Sequence, residues 1–378
     1  MKLPCALSLV FLTSFVTSQD ISSDTRVCQE FTVPVTVTSQ VFITEYSAFQ
    51  DSYDVVGFVN NIAGRDSNTT FAPLGGRKNV TASYTIGATI CNPKGSGGKN
   101  KTLLLATPGL GYDRRYWDSE VDPANYSFVD FAISQGYSVF FYDRLGTGES
   151  SKVSGYNDPQ AQIQLAILQQ LTLLLRAGKY TGVLGVPGKL VHVGHSFGSF
   201  LSNALVATTP ELSDAAILTG IAYGSASMTF IEAWGLRIAT QIAPGRWNNR
   251  DNGYLTWVDA FGNAAVFFYP GSYDTEVLWY TEDVKQPLAA IELLTPSALR
   301  LRAVGFTRPV MIISGEFDFA VCDGDCRGFL ASAKEEIFPN ATDFQAVVHP
   351  GVGHAINFSY NATGAYGIML EYLERHEL

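Results

Sequence analysis

The sequence predicts an α/β fold, a mostly parallel central sheet flanked by helices with a helical segment inserted between its later strands. Three observations predict it. From about residue 100 onward, short apolar runs alternate with stretches of helical length. Upstream, residues 30–41 and 83–91 are rich in Thr, Val and Ile, the composition of strands on an antiparallel edge. Between Gly224 and Arg300 the alternation stops.

The elements follow in order. Residues 102–106 are a continuous apolar run that ends at Pro108-Gly109, and 95–99 before them form a polar loop. Residues 123–135 read as a helix, followed by a strand over 138–142 that stops at Asp143. Residues 159–176 have helical length, with Pro159 suited to a first helical turn, where a missing N–H costs nothing. A buried strand over 189–194 leads into a helix over 197–207. Further strands are predicted over 215–222, 310–314 and 344–348, and a closing helix over 362–374. The division is a signal peptide at 1–18, a core in two parts at 19–223 and 301–378, and a helical lid at 224–300.

The signal peptide rests on one positive charge, an apolar run too short to span a bilayer, and small residues at Val16-Thr17-Ser18. Its removal takes Cys5 and leaves Cys28, Cys91, Cys322 and Cys326, an even set expected to pair as Cys28–Cys91 and Cys322–Cys326. Short paired Cys/His spacings of a zinc site are lacking, so no metal is expected. Seven N-x-S/T sequons, at Asn68, Asn79, Asn100, Asn125, Asn340, Asn357 and Asn361, point to glycosylation and a secreted, extracellular protein. The terminal Arg375-His376-Glu377-Leu378 resembles an endoplasmic-reticulum retrieval signal, but the preferred reading is a frayed helix end. The net charge of −10 is spread along the chain without a basic run, which argues against a nucleic-acid partner. No later stretch is long and apolar enough for a membrane span.

The strongest chemical signal is Gly194-His195-Ser196-Phe197-Gly198, between a strand and a helix. A nucleophilic serine must project from a tight strand-to-helix turn, and the flanking glycines remove side chains that would block it. The next backbone N–H then faces the developing oxyanion. A serine hydroxyl also needs a positioned base. Of five histidines, His192 lies inside the strand, His195 points away, His376 is terminal and His349 ends a strand. His354, in Pro350-Gly351-Val352-Gly353-His354, sits in a loop able to swing back over the strand ends. The acid that orients it is expected just past another strand, at Asp318, with Glu316, Asp323 and Asp325 as substitutes.

These pieces, with the order Ser…Asp…His, resemble the α/β-hydrolase superfamily. Within it they resemble the lid-bearing branch of esterases, lipases, peroxidase-like enzymes and prolyl aminopeptidases, which has glycosylated secreted members in filamentous fungi. The resemblance runs from about Lys101 to the C-terminus. By that resemblance, Thr107-Pro108-Gly109-Leu110-Gly111 stands where the family has His-Gly-X, which implies Leu110 and Phe197 as oxyanion donors. Asp143-Arg144-Leu145-Gly146-Thr147-Gly148-Glu149-Ser150 matches the family's D-x-x-G-x-G-x-S loop and reads as a structural turn, since neither Walker nor dinucleotide spacing accompanies it.

The expected function is a serine hydrolase that cleaves an ester-like bond of a small, apolar substrate through an acyl-enzyme, without a cofactor. The alternatives are an exopeptidase whose amine anchor would be Glu232 or Asp259, a lyase or acyltransferase on the same residues, and a binding protein with little turnover. Trp234, Trp247, Trp257 and Trp279, with Phe267, Phe268, Tyr269 and Tyr280, crowd the 224–300 segment. They serve either as a substrate wall or as packing onto the core.

Overall fold

The apolar runs become strands of one nine-stranded sheet. The computed structural model describes residues 20–22, 25–64, 71–95, 101–224 and 228–378. The expected signal peptide, Asn68, Asn100 and most of the 95–99 loop lie outside these residues. In chain order the strands are β1 (Asp20–Ser22), β2 (Arg26–Thr44), β3 (Leu74–Pro93), β4 (Thr102–Thr107), β5 (Ser138–Tyr142), β6 (Lys189–His195) and β7 (Ala215–Thr219). They continue with β8 (Arg237–Ile238), β9 (Tyr254–Thr256), β10 (Leu288–Ala289), β11 (Val310–Gly315) and β12 (Phe344–His349).

The main sheet runs β1-β2-β3-β5-β4-β6-β7-β11-β12. From β5 to β12 neighbouring strands are parallel, whereas β1, β2, β3 and β5 pair antiparallel, as the two compositions predict. Apart from the edge strand β12, each parallel strand is buried on both faces, because its side chains alternate between two cores. Leu104, Ala106, Val191, Val193, Ile217 and Ile313 enter one core, which the helices Phe128–Ser134 and Ala362–Arg375 close. Leu103, Leu105, Leu190, Leu218 and Ile312 enter the other, closed by the helices Ala161–Arg176 and Phe197–Thr208. On β2, Val33, Val35 and Val37 are buried while Thr32, Thr36 and Thr38 face outward, the one-sided pattern of an antiparallel edge.

Several expectations are corrected. The helix predicted over 123–135 is two, Pro123–Tyr126 and Phe128–Ser134, because Ser127 leaves helical geometry and its hydroxyl caps the second at Asp130 N. The strand predicted over 215–222 ends at Thr219. The 224–300 segment, expected to be helical, also holds a three-stranded antiparallel sheet, β10-β9-β8, whose two- and three-residue strands are too short to show a period. The chain end is not frayed: Leu378 is buried and its carbonyl accepts from Tyr137 Oη at 3.0 Å. The structure joins Cys28–Cys91, directly opposite residues of β2 and β3, and Cys322–Cys326. No helix among the described residues is long and apolar enough to cross a membrane.

His192 is fully buried in β6, between Thr172 Oγ1 at 3.0 Å and Ser213 Oγ at 2.8 Å. Burial pushes its imidazole down to about 3, with Arg176 adding repulsion. A folded value below the unfolded one, about 6.5, means that the unfolded chain binds the proton first. Stability from this group is therefore full above about 6.5 and is lost as the pH falls toward 3. We expect urea unfolding free energies to fall by up to about 1.4 kcal/mol per pH unit per such histidine in that window. His192→Gln should flatten the slope by about one proton, and an unchanged slope would contradict this origin.

Candidate active site

Ser196 links β6 to the helix Phe197–Thr208 with φ 55° and ψ −121°. A non-glycine residue at positive φ is strained, and it persists here because its surroundings leave no other path. A Cβ on Gly198 would lie 2.1 Å from the Thr107 carbonyl oxygen, and one on Gly194 would lie 2.6 Å from that of Gly198. Only glycine at both positions lets the helix close onto β4 and β6. Ser196 N donates to Thr219 O at 2.9 Å, which pins the turn to β7.

Asp318 follows β11 and caps the short helix Phe319–Cys322 by accepting from Val321 N at 3.1 Å. Its other oxygen accepts from His354 Nδ1 at 2.7 Å, with both side chains buried. That bond places the proton on Nδ1 and leaves Nε2 as the basic nitrogen. The substitutes for Asp318 are engaged elsewhere: Glu316 accepts from Gly351 N, and Asp325 pairs with Arg327. The Cys322–Cys326 bridge and the Cys326 N to Glu316 O bond, 2.9 Å, close the loop around Asp318.

Ser196 and His354 line one cavity of about 340 Å³, together with Leu110, Phe197, Trp234 and Phe267. The Phe267 ring stacks on the imidazole of His354 at 5.2 Å between centroids. Trp234 and Phe267 thus form cavity wall, while Trp247 and Trp257 are buried and Trp279 is exposed. The Pro108–Leu110 turn passes close to Ser196, since a Cβ on Gly109 would sit 2.9 Å from Ser196 Cβ. Among the described residues, the N–H groups of Leu110 and Phe197 have no protein acceptor. Such free donors beside a nucleophile suit a developing oxyanion.

His195 does not simply point away. It is buried with its ring 4.8 Å from that of His354 and stacked on Tyr116 at 4.3 Å. Burial, with repulsion from His354, holds it well below the ordinary imidazole range, so it stays neutral beside the site. His349 Nε2 donates to Asn361 O at 2.9 Å, His376 pairs with Asp343, and neither lines the cavity. Asn357 is a correction: it is 2 % exposed and donates to Tyr116 O at 3.1 Å, which leaves a glycan no room. Asn79, Asn125, Asn340 and Asn361 are exposed.

Two residues of the site were not singled out from sequence. Arg144, in the Asp143–Ser150 turn, is fully buried and donates twice to Gly109 O, at 3.0 and 3.3 Å. Its guanidinium also lies 5.1 Å from the Phe197 ring centroid, so it braces both residues that carry the free N–H groups. Glu292, on the cavity wall, pairs with Arg144 and accepts from Gln164 and from Ala289 N. The Asp143-Arg144 pair in the turn was the available signal.

A family model described as the Alpha/beta hydrolase family matches residues 103–363. No curated protein sequence matches the chain. Among solved structures, a lipase in its open form is similar at TM-score 0.53 and 15% identity, covering 78% of this chain and 95% of that one. The enol-lactonase from Burkholderia xenovorans LB400 is similar at TM-score 0.52 and 16% identity, over 77% of this chain and 97% of that one. A hydrolase from Pseudomonas aeruginosa PA01 is similar at TM-score 0.50 and 18% identity, over 77% and 94%. At these identities the likeness establishes the fold.

Removing Arg144 leaves Glu292 buried without its countercharge, a loss of about 3–5 kcal/mol by analogy with other broken buried pairs. Arg144→Met should lower the urea midpoint accordingly. Where it folds, it should reduce kcat more than it raises KM. Unchanged kcat in a folded variant would remove Arg144 from the positioning of Gly109.

Proposed function

Since the chain belongs to the Alpha/beta hydrolase family, we propose that it is a serine hydrolase that cleaves carboxylic esters of apolar acyl groups through an acyl-enzyme. The observation that carries this reading is the Asp318–His354 hydrogen bond, 2.7 Å, which orients the imidazole at the wall of a mostly apolar cavity that His354 shares with Ser196. In the proposed reaction His354 Nε2 takes the Ser196 proton as Oγ attacks the carbonyl carbon. The N–H groups of Leu110 and Phe197 hold the oxyanion, and Asp318 stabilises the imidazolium. His354 then protonates the leaving alcohol. Water, deprotonated by the same nitrogen, releases the acid and restores the serine.

The 224–300 segment acts as a lid in this reading, because Phe230, Trp234, Phe267 and Leu293 line the cavity together with Ser196. An exopeptidase is disfavoured by charge. Glu232 and Asp259 are exposed, with Asp259 capping a helix at Phe261 N and Gly262 N, and neither lines the cavity. Glu292 does line it, but its charge is spent on Arg144. We also assign the protein to the secretory pathway. The leader sequence, the four exposed sequon asparagines and the two disulfides, which persist in oxidising compartments, support that assignment.

The test is a kcat/KM series on p-nitrophenyl esters of increasing acyl length, set against aminoacyl p-nitroanilides. Each added methylene that enters the apolar cavity should raise kcat/KM by up to about fourfold, until the cavity is full. Ser196→Ala should lose roughly 10⁴-fold or more. A flat chain-length profile, or anilides preferred over esters, would overturn the assignment.

A further inference from the structure

A second cavity, about 430 Å³, shares no residue with the first. It opens beside the Asp143–Ser150 turn and is strongly polar. We propose that it binds a dianionic oxyanion, as inorganic phosphate or as the phosphate group of a small monoester.

The charge of its lining is the first argument. Five cations, Arg114, Arg115, Lys152, Arg246 and Arg250, face three carboxylates, Asp113, Asp143 and Glu149. With Glu30, which reaches Arg114 from outside the lining, one positive charge is left over in a chain whose net charge is −10. Arg114 is neutralised by Asp143 at 2.7 Å and Glu30 at 2.9 Å, and Arg115 by Asp113 at 2.6 Å. Among the described residues, Lys152, Arg246 and Arg250 form no ion pair.

The second argument is how these cations are held. The Lys152 ammonium spends its three donors on the backbone carbonyls of Thr147, Gly148 and Ser150, so it lacks a countercharge and not an acceptor. Arg246 donates only to the carbonyls of Glu282, Asp283 and Lys285, at the end of the helix Thr275–Val284. Arg250 is buried and donates through Nε to Gly146 O at 3.1 Å and through one amino group to Asn249 Oδ1. The buried indole N–H of Trp247, which also lines the cavity, has no acceptor among the described residues. Water can accept from it but cannot offset the charge. An oxyanion does both, through charge-assisted hydrogen bonds. Burial, followed by repulsion from Arg250, lowers the Lys152 ammonium to about 8 against the pull of Asp143, Glu149 and Asp113. The space exceeds what a bare phosphate fills, so a monoester's organic part is accommodated.

Isothermal titration of the full chain at low salt, with inorganic phosphate, sulfate and glycerol 2-phosphate as probes, tests the site. One saturable site is expected, weakening as salt is raised. Arg250→Gln should weaken each probe about tenfold. Glu149→Gln, at the exposed rim, should tighten binding severalfold and carries the test if Arg250→Gln fails to fold. Sulfate keeps its charge across the range, so its affinity should drop as the pH rises through about 8, where Lys152 loses its proton. Glycerol 2-phosphate binding more tightly than phosphate assigns the site to a monoester, and the reverse order assigns it to the free ion. Absence of saturable binding, or affinity indifferent to both substitutions, would overturn the proposal.

Discussion

The site depends on how closely the helix that follows Ser196 can approach the ends of β4 and β6. With no side chain at Gly194 or Gly198, the helix start lies against the Thr107 carbonyl and against its own strand. That approach drives Ser196 to positive φ and turns its hydroxyl into the cavity. It also brings the Pro108–Leu110 turn beside the serine. A methyl group at either glycine would push the helix start away from Thr107 or from its own strand, and would carry Ser196 and the Phe197 N–H away from the Pro108–Leu110 turn. The strain is small beside the two-sided burial of the surrounding strands, which fixes the backbone on either side.

Around this contact the protein uses buried charge for position. Asp318 and Arg144 play parallel parts: one fixes the imidazole of His354, the other the carbonyl of Gly109. Each is itself held, Asp318 by the capped turn and the Cys322–Cys326 loop, Arg144 by Glu292 and Gln164. Such pairs stabilise little in net terms, because desolvation consumes most of the attraction, but they are costly to break. They hold geometry more than they add stability. The Asp143 carboxylate, next to Arg144 in the same turn, lines the second cavity: it accepts from Glu149 N and Arg114 N, and burial raises it to about 6.

Much of this was legible because the signals are local. Gly194–Gly198 lies between a strand and a helix, and Asp318 and His354 each follow a strand. The parallel strands announced themselves as unbroken apolar runs. The helix Ser52–Ala63 was not read, because its valines and Gly57 have weak helix propensity. Asp51 caps it, and burial of Val55, Phe58 and Val59 on one face forms it. Arg144 looked like one more turn residue because its partners Gly109 and Glu292 lie 35 and 148 positions away. The buried Asn357 shows the converse: a sequon is a local pattern, and only the fold reveals that Tyr116 already occupies the amide.

The claim beneath all of this is that one serine, poised by the turn and by an oriented imidazole, is the reactive group of the molecule. The most direct measurement is mass spectrometry of the intact and digested protein after treatment with a fluorophosphonate. The account predicts a single adduct per chain, carried by the peptide that contains Ser196. No adduct, or an adduct on another residue while Ser196 stays unmodified, would contradict it.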